Sequence, residues 1–539
     1  MRFTDLESPR CRFPADLRFA VLLLLLLMVV IGCSRERRAD APLAAQPALG
    51  RVIVLGFDGL DPGAVRKRVA QGELPNFRRI IEQGAFGDLV SVLPPTSAPA
   101  WISAVTGVNP GKHGVYGFVM SGLPGFLAED GKEGAPPVFS TSANRGFDAV
   151  WDVLGRYGRR SVLVNIPLTS PADSVNGIMV AGFPHASSDV STYYWPESLA
   201  SYLTDYKFDA FAVTCARGQE REFIANLDAS AAERLRLGLR LFDEGGWDLF
   251  WLVFTFTDRY QHNLWKYMDS KHPMYDQVSA DLYGLEIDKA YRRADDYLGE
   301  FLQRMESSDL LVVMSDHGFG PIYHSMNSRN FLFRALGQAP EVMCADFFGG
   351  LFKINAGGPA AEEQYASLRT RLAGELAQIR GSERGEMAID TVYVKEQIYK
   401  GPYLDRAPDV VCVEKPGYLF FTLPRTPDLR LFDVGPSPDR MFSGYHLRRG
   451  TVCLYGRHVR QGEAVEAKIV DIAPTIYAYL GVPGPAAIDG KVPAVFDQET
   501  AGRMVLVRSG LPGYRVPRGS GTQDSKRMEK QLRSVGYIQ

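Results

Sequence analysis

The sequence predicts an α/β fold with a mostly parallel central sheet, and two observations carry that prediction. From Arg51 onward, apolar runs of strand length alternate with stretches of helical spacing, the pattern of a parallel sheet covered on both faces. Three of those runs lead into an aspartate: 51–57 into Asp58, 249–257 into Asp258, and 310–315 into Asp316. Ligands of open α/β sheets collect outside the carboxyl ends of the strands, so the three aspartates are expected at one edge.

The elements follow in order. Residues 61–83 have helical spacing, with Gly84 as a C-cap, and a second helix is expected to begin near Ser97. Strands are expected at 160–167 and 177–181, a long helix at 230–242, and a helix at 278–305 that feeds the Asp316 strand. Between Gly320 and Tyr445 the alternation becomes irregular, with helical stretches at 327–336 and 362–379 and β-like runs at 388–395 and 410–413. This reads as a cap, residues 321–442, inserted over the sheet edge of a catalytic domain spanning 51–500. The core resumes with a strand at 450–455 and a helix at 469–480. Residues 501–539 form a polar, Gly-rich peripheral tail with a helical end from Ser525.

Sixty basic residues against 62 acidic ones give no electrostatic case for a nucleic-acid partner. The amino end reads as a targeting segment: Arg10, Arg12 and Arg18 precede an apolar run at 19–31 that is too short to span a bilayer comfortably. It closes on Val30-Ile31-Gly32-Cys33, which resembles the bacterial lipoprotein signal. The resemblance implies a signal peptide at 1–32, lipidation of Cys33 and thereby a membrane partner, and a flexible tether at 33–50. With Ser34 after the cysteine, it also implies a cell-envelope protein destined for the outer membrane; a plain signal peptide or an uncleaved anchor is the alternative. Cys215, Cys344, Cys412 and Cys453 are widely spaced without a C-x-x-C pattern, which speaks against a thiolate zinc site and leaves any disulfide pairing open.

Three converging carboxylates raise one another's pKa and need compensation, which divalent cations supply. Asp258 and His262 are four apart and share a helix face, while Asp316-His317 is followed by Gly318, where the backbone turns freely. His446 lies just before the returning core strand. Asp58, Asp258, His262, Asp316, His317 and His446 make a mixed oxygen and nitrogen set, enough for two zinc-like ions that each keep an open position. Ser97 follows a Pro-Pro-Thr turn and precedes a helix, whose amino end favours anions. Metal coordination is one way to activate so weak a nucleophile.

The bland alternatives have their own logic. An aspartate after a strand is often only an N-cap, although independent caps would not recruit three suitably placed histidines. His113 reads as a packing residue, and His185, His272, His324 and His458 lack partners at ligand spacing and read as surface or structural. Trp251, Phe254 and Phe256 suit the sheet core; Trp101 and Phe118 suit either the core or a pocket wall.

Taken in order, Gly56-Phe-Asp-Gly59, Pro95-Thr-Ser97 with Thr106-Gly-Val-Asn-Pro-Gly-Lys-His-Gly114, Asp258-x-x-x-His262, Ser315-Asp-His-Gly318, Gly444-Tyr-His446 and Asp471-Ile-Ala-Pro-Thr-Ile476 resemble the alkaline phosphatase superfamily. The likeness is greatest to its type I phosphodiesterase/nucleotide pyrophosphatase branch. It implies an alkaline-phosphatase-like three-layer α/β/α fold and a phosphoester small-molecule substrate. It also implies two divalent ions, zinc or else manganese: one held by Asp58, Ser97, Asp316 and His317, the other by Asp258, His262 and His446. Ser97 would then be the nucleophile that forms a phospho-enzyme, with neighbouring Thr96 as the alternative. The branch's phosphate-contacting asparagine is missing after His113-Gly114, which leaves Tyr116 and Lys112 as candidates for that contact. Sulfatase chemistry is disfavoured, because Ser97-Ala-Pro-Ala-Trp101 lacks the required arginine. A phosphomonoesterase or phosphoryl transferase acting on envelope lipids or glycans, and a non-catalytic envelope binding protein, are the remaining readings.

Overall fold

A computed structural model describes residues 45–121, 138–185, 187–208, 215–337, 341–344, 349–355, 361–381, 385–432, 442–504, 513–515 and 525–534. The signal segment, Cys33 and most of the tether lie outside the described residues. Among those described, no helix is long and apolar enough to cross a membrane, and Cys215, Cys344, Cys412 and Cys453 are free thiols.

The chain enters along the amino ends of the central strands. Gln46 N–H donates to Gly481 O at 2.7 Å and Leu49 N–H to Tyr479 O at 2.9 Å. β1 (Val52–Phe57) follows with all six residues buried, the composition of a strand covered on both faces. Where one helix is expected over 61–83 there are two, α1 (Pro62–Ala70) and α2 (Pro75–Glu82). Gly72 at φ 82° and the φ-locked Pro75 break the run between them. β2 (Ala85–Val90) leads to α3 (Ser97–Thr106), which ends on Gly107 in the left-handed region. β3 (Ser161–Ile166), β4 (Gly177–Ala181) and the short β5 (Tyr194–Trp195) come next, then α4 (Glu220–Asp243), longer than expected by more than two turns.

β6 (Leu249–Phe254) passes directly into α5 (Phe256–Met268), so Asp258 sits in the first turn of a helix and not at the end of a strand. The stretch expected as one helix at 278–305 divides at Gly284, and its second part is α6 (Glu286–Leu302). β7 (Leu310–Met314) precedes β8 (Gly318–Asn327), a strand the sequence did not announce. The cap region then contributes β9 (Val342–Cys344), β10 (Gly350–Ile354), α7 (Ala361–Leu376), β11 (Ile389–Val394), β12 (Val410–Glu414) and β13 (Gly417–Phe421). β14 (Gly444–Leu447), β15 (Arg449–Tyr455), β16 (Glu463–Lys468) and α8 (Ile472–Tyr479) return to the core.

Nine strands form the main sheet in the order β16-β2-β15-β7-β1-β6-β3-β4-β5. The run from β7 to β4 is parallel throughout, whereas β15 is antiparallel to both its neighbours and β5 to β4. Helices cover two separate apolar cores, one on each face: Trp101, Trp151 and Trp251 on one, Phe57, Phe250 and Phe254 on the other. Strands of the region expected as a cap make a four-stranded sheet, β9-β10-β12-β11, and β13 joins β8 and β14 in a three-stranded one. The expected α/β class with a mostly parallel central sheet is therefore the observed one.

β1 is the middle of the three strands that matter most. Phe57 pairs with Phe254 of β6 and Gly56 with Met314 of β7, so the three strands end level and their exits face one space. Gly56 admits Trp101 against the sheet: a Cβ there would lie 2.5 Å from Trp101 Cη2 and 3.0 Å from Val253 Cγ2. Gly56→Ala is accordingly expected to destabilise the protein by about 1–3 kcal/mol, the usual cost of overpacking, read from urea unfolding midpoints.

Candidate active site

Backbone connections hold the three strand exits together. Asp58 N–H donates to Phe254 O at 2.9 Å, and Thr257 Oγ1 donates to Asp58 O at 2.5 Å. Gly59 N–H donates to Asp316 Oδ1 at 3.3 Å, and Leu60 N–H to Ser315 Oγ at 2.8 Å; that hydroxyl donates onward to His317 O at 2.7 Å. Gln261 Nε2 reaches Gly59 O at 2.7 Å from the helix that carries Asp258 and His262. These donors fix where each ligand side chain begins, and all of the groups are buried.

His446 arrives by another route. β8 starts at Gly318, directly after His317, and pairs antiparallel with β14 so that Phe319 faces His446. Gly318 is required there, since a Cβ would lie 2.2 Å from Arg449 O. One hairpin-like pairing thus carries a distant histidine onto His317, whose ring it stacks at 3.6 Å between centroids.

The sequence-expected residues stand in one buried cluster. Ser97 Oγ is 3.4 Å from Asp58 Oδ1 and 3.5 Å from His317 Nε2. His317 Nε2 is 3.4 Å from Asp58 Oδ1 and 3.3 Å from Asp316 Oδ2. Asp258 Oδ1 lies 3.2 Å from His262 Nε2 and 3.3 Å from His446 Nε2, and the two imidazole nitrogens are 3.0 Å apart. Distances alone group Asp58, Asp316 and His317 into one candidate metal site, and Asp258, His317 and His446 into a second that shares His317.

The donor set suits cations. His262 Nδ1 lies 2.9 Å from Gly444 O and His317 Nδ1 lies 3.1 Å from Gly318 O, contacts that place the proton on Nδ1 and turn the Nε2 lone pair toward the cluster. Asp258 Oδ1 and Asp316 Oδ2 are buried carboxylate oxygens without a hydrogen bond, which protein interiors seldom tolerate. Burial, then Asp316 and Asp258, pushes the Asp58 carboxyl well above its usual range; burial, then Asp258, takes Asp316 up to about 7. Burial opposes the charge of Asp258 too, but His262 and His446 prevail and hold it well below the usual range. Burial drives His317 down and His446 further down, the latter helped by His317. Carboxyls that hold protons and imidazoles that shed them describe a pocket short of positive charge only when its acids ionise, as metal binding requires.

Other assignments fare differently. Lys112 forms an ion pair with Asp489 and donates to Ala487 O at 2.6 Å, while Tyr116 O–H donates to Tyr403 O at 2.9 Å. Both are engaged away from the cluster, so neither meets the expectation of a phosphate contact. His113 is buried against Ser103 Oγ at 2.9 Å, and His272 Nε2 lies 3.0 Å from Ser443 O, as packing residues would. His185 stacks on Tyr193, His324 on Tyr418, and His458 lies 3.4 Å from Asp497 Oδ2. Trp101 does more than fill the core: its Nε1–H donates to Asp58 Oδ2 at 3.1 Å. The sequence hid the roles of Trp101, Thr257 and Gln261, because nothing in spacing marks a residue that serves a ligand from behind.

A divalent ion that binds only the folded state stabilises it by about 2.7 kcal/mol at 100 times its Kd. Such stabilisation, measured by calorimetry with zinc or manganese, is expected to fall in Asp258→Ala, which leaves the Asp58, Asp316 and His317 group intact. It should also grow between pH 5 and pH 8. The Asp316 carboxyl, raised from 3.8 to about 7, keeps its proton in the metal-free fold, so stability falls as pH climbs through that window, and metal must displace the proton below it.

A model of the family described as type I phosphodiesterase / nucleotide pyrophosphatase matches residues 52–440. That span includes every site residue named above except His446, which rests on geometry. No curated protein matches the chain. Phosphonoacetate hydrolase from Sinorhizobium meliloti 1021, solved with phosphonoformate, superposes with a TM-score of 0.53 at 15% identity, covering 82% of this chain and 99% of that one. Murine ectonucleotide pyrophosphatase / phosphodiesterase 5 gives 0.48 at 16% identity over 80% and 96%, and its human counterpart 0.48 at 14% over 82% and 97%. At such identities the first of these is a likeness of fold, and it is to an alkaline-phosphatase-like architecture. With the family model spanning more than half of its length, the chain belongs to the type I phosphodiesterase/nucleotide pyrophosphatase family of the alkaline phosphatase superfamily, hydrolases to which its two buried candidate metal sites are suited.

Proposed function

We propose that the protein cleaves phosphodiester or nucleotide pyrophosphate bonds through a covalent phosphoserine at Ser97, with two divalent cations, zinc or manganese, as cofactors. The observation that carries this reading is the Ser97 hydroxyl, 97% buried at the first residue of α3 and within 3.5 Å of both Asp58 and His317. Asp58, Ser97, Asp316 and His317 would hold the ion beside the nucleophile, and Asp258, His262 and His446 the ion facing the departing oxygen. Bound there, the cations supply charge to the phosphoryl oxygens and lower the pKa of the serine hydroxyl and of water, the latter toward ~7.

The residues themselves have separable tasks. Ser97 Oγ attacks phosphorus, and the new O–P bond forms as the ester O–P bond opposite it breaks; the departing oxygen takes a proton from water. Asp58 Oδ1 and His317 Nε2 are the groups facing the proton that Ser97 gives up. A water oxygen then attacks the phosphoserine, and the Ser97 O–P bond breaks to restore the hydroxyl. The amino end of α3 adds partial positive charge beside the phosphoryl group throughout. Lipidation at Cys33 would place this chemistry in the cell envelope, on the periplasmic or surface face of the outer membrane.

Ser97→Ala is expected to lower kcat on a nitrophenyl phosphodiester by at least about 10³-fold and to abolish acid-stable phosphate capture on the protein. A large preference for the nitrophenyl monoester over the diester would replace the first choice with a phosphomonoesterase. Cys33→Ser, expressed as the full chain, should move the protein from the membrane fraction to the soluble one.

A further inference from the structure

Between cap and core lies a cavity of about 90 Å³ whose lining includes Thr96, the residue before Ser97, and His446. Its far wall is built from the cap: Leu351 of β10, Val411 of β12 and Leu419 of β13. The lining mixes apolar side chains with Lys415, Arg448 and one acid. Glu414, the last residue of β12, brings a carboxyl to this space.

That carboxyl belongs to a half-buried residue beside the β12–β13 turn. It accepts hydrogen bonds from the backbone N–H groups of Phe420, at 3.3 Å, and Gly350. Burial pushes it up to about 7. On the near wall, Thr96 is 93% buried and its Oγ1 lacks a hydrogen bond. The cavity therefore offers a carboxyl from the cap region and an unsatisfied hydroxyl from the residue next to the nucleophile.

We propose that this cavity is the subsite for the alcohol of the phosphoester substrate, and that Glu414 selects a compact, uncharged alcohol carrying a second hydroxyl at its far end. The inference rests on the hydrolase reading above and adds the substrate class to it. Size sets the first limit. With 10–15 Å³ needed per water-sized group, the slot takes on the order of six to nine such groups, and a nucleoside has roughly twice as many heavy atoms. Charge sets the second. Lys415 and Arg448 belong to the same lining, so an ammonium would meet like charge, whereas a hydroxyl both donates to and accepts from a carboxyl near its titration point.

The test compares p-nitrophenyl phosphodiesters whose second alcohol is cyclohexanol, cyclohexane-1,4-diol, 4-aminocyclohexanol or thymidine. The diol ester is expected to exceed the cyclohexyl ester about tenfold in kcat/KM, because a site built for a hydroxyl rejects the analogue lacking it. Glu414→Leu should bring the two esters level in kcat/KM. Glu414→Gln, which keeps the turn's hydrogen bonding, should retain a smaller preference that no longer varies between pH 6 and pH 8. Preference unaltered in both variants, or greater rates on the amino or thymidine esters than on the diol ester, overturns the proposal. Calorimetric binding of the diol monophosphate to wild type and to Glu414→Leu needs no turnover. Should no ester be hydrolysed while this binding still depends on Glu414, the hydrolase reading fails and the subsite stands; binding indifferent to Glu414 sinks the subsite.

Discussion

Everything at the centre of this protein follows from three carboxylates forced into one dry space. β6, β1 and β7 are adjacent, parallel and level at their carboxyl ends, so the residues that leave them cannot avoid one another. Like charges at such separations repel strongly where water is scarce, and the usual remedies, solvent or a lysine, are not what surrounds them. Histidine nitrogens and unsatisfied carboxylate oxygens surround them instead. The arrangement makes sense as a receptor for positive charge that comes from outside the polypeptide.

The scaffolding behind the ligands is what makes that receptor specific in shape. Main-chain carbonyls of Gly444 and Gly318 set the tautomers of His262 and His317, and Trp101 occupies the second oxygen of Asp58. Each of these contacts depends on a glycine or a strand exit that admits close approach. Gly56 lets Trp101 lie flat on the sheet, and Gly318 lets β8 turn away from β7 toward β14. Local backbone permission thus determines which side-chain atoms are left facing the reactive serine.

Much of this was legible in the sequence because the relevant signals are short-range. An apolar run before an aspartate, two ligands four residues apart, and a serine opening a helix each betray their place without reference to the rest of the chain. Boundaries were less legible: the expected helices over 61–83 and 278–305 are each two, because a single glycine or proline ends a helix without disturbing the hydrophobic period around it. The cap was visible only as irregularity. Its sheets form from pairings such as β8 with β14 and β10 with β12, separated by many residues, and no local pattern encodes a partner. Lys112 shows the opposite failure, for a cation near the nucleophile in sequence turned out to belong to Asp489.

The entry path of the chain has a geometric consequence. Residues 46–50 run past the amino ends of the central strands, held by Tyr479 and Gly481, while the serine and its ligands lie beyond the opposite ends. Strands of this length span about 20 Å. Residues 46–50 and the reactive mouth therefore occupy opposite poles of the sheet, and substrate reaches the serine without passing the segment that enters the fold.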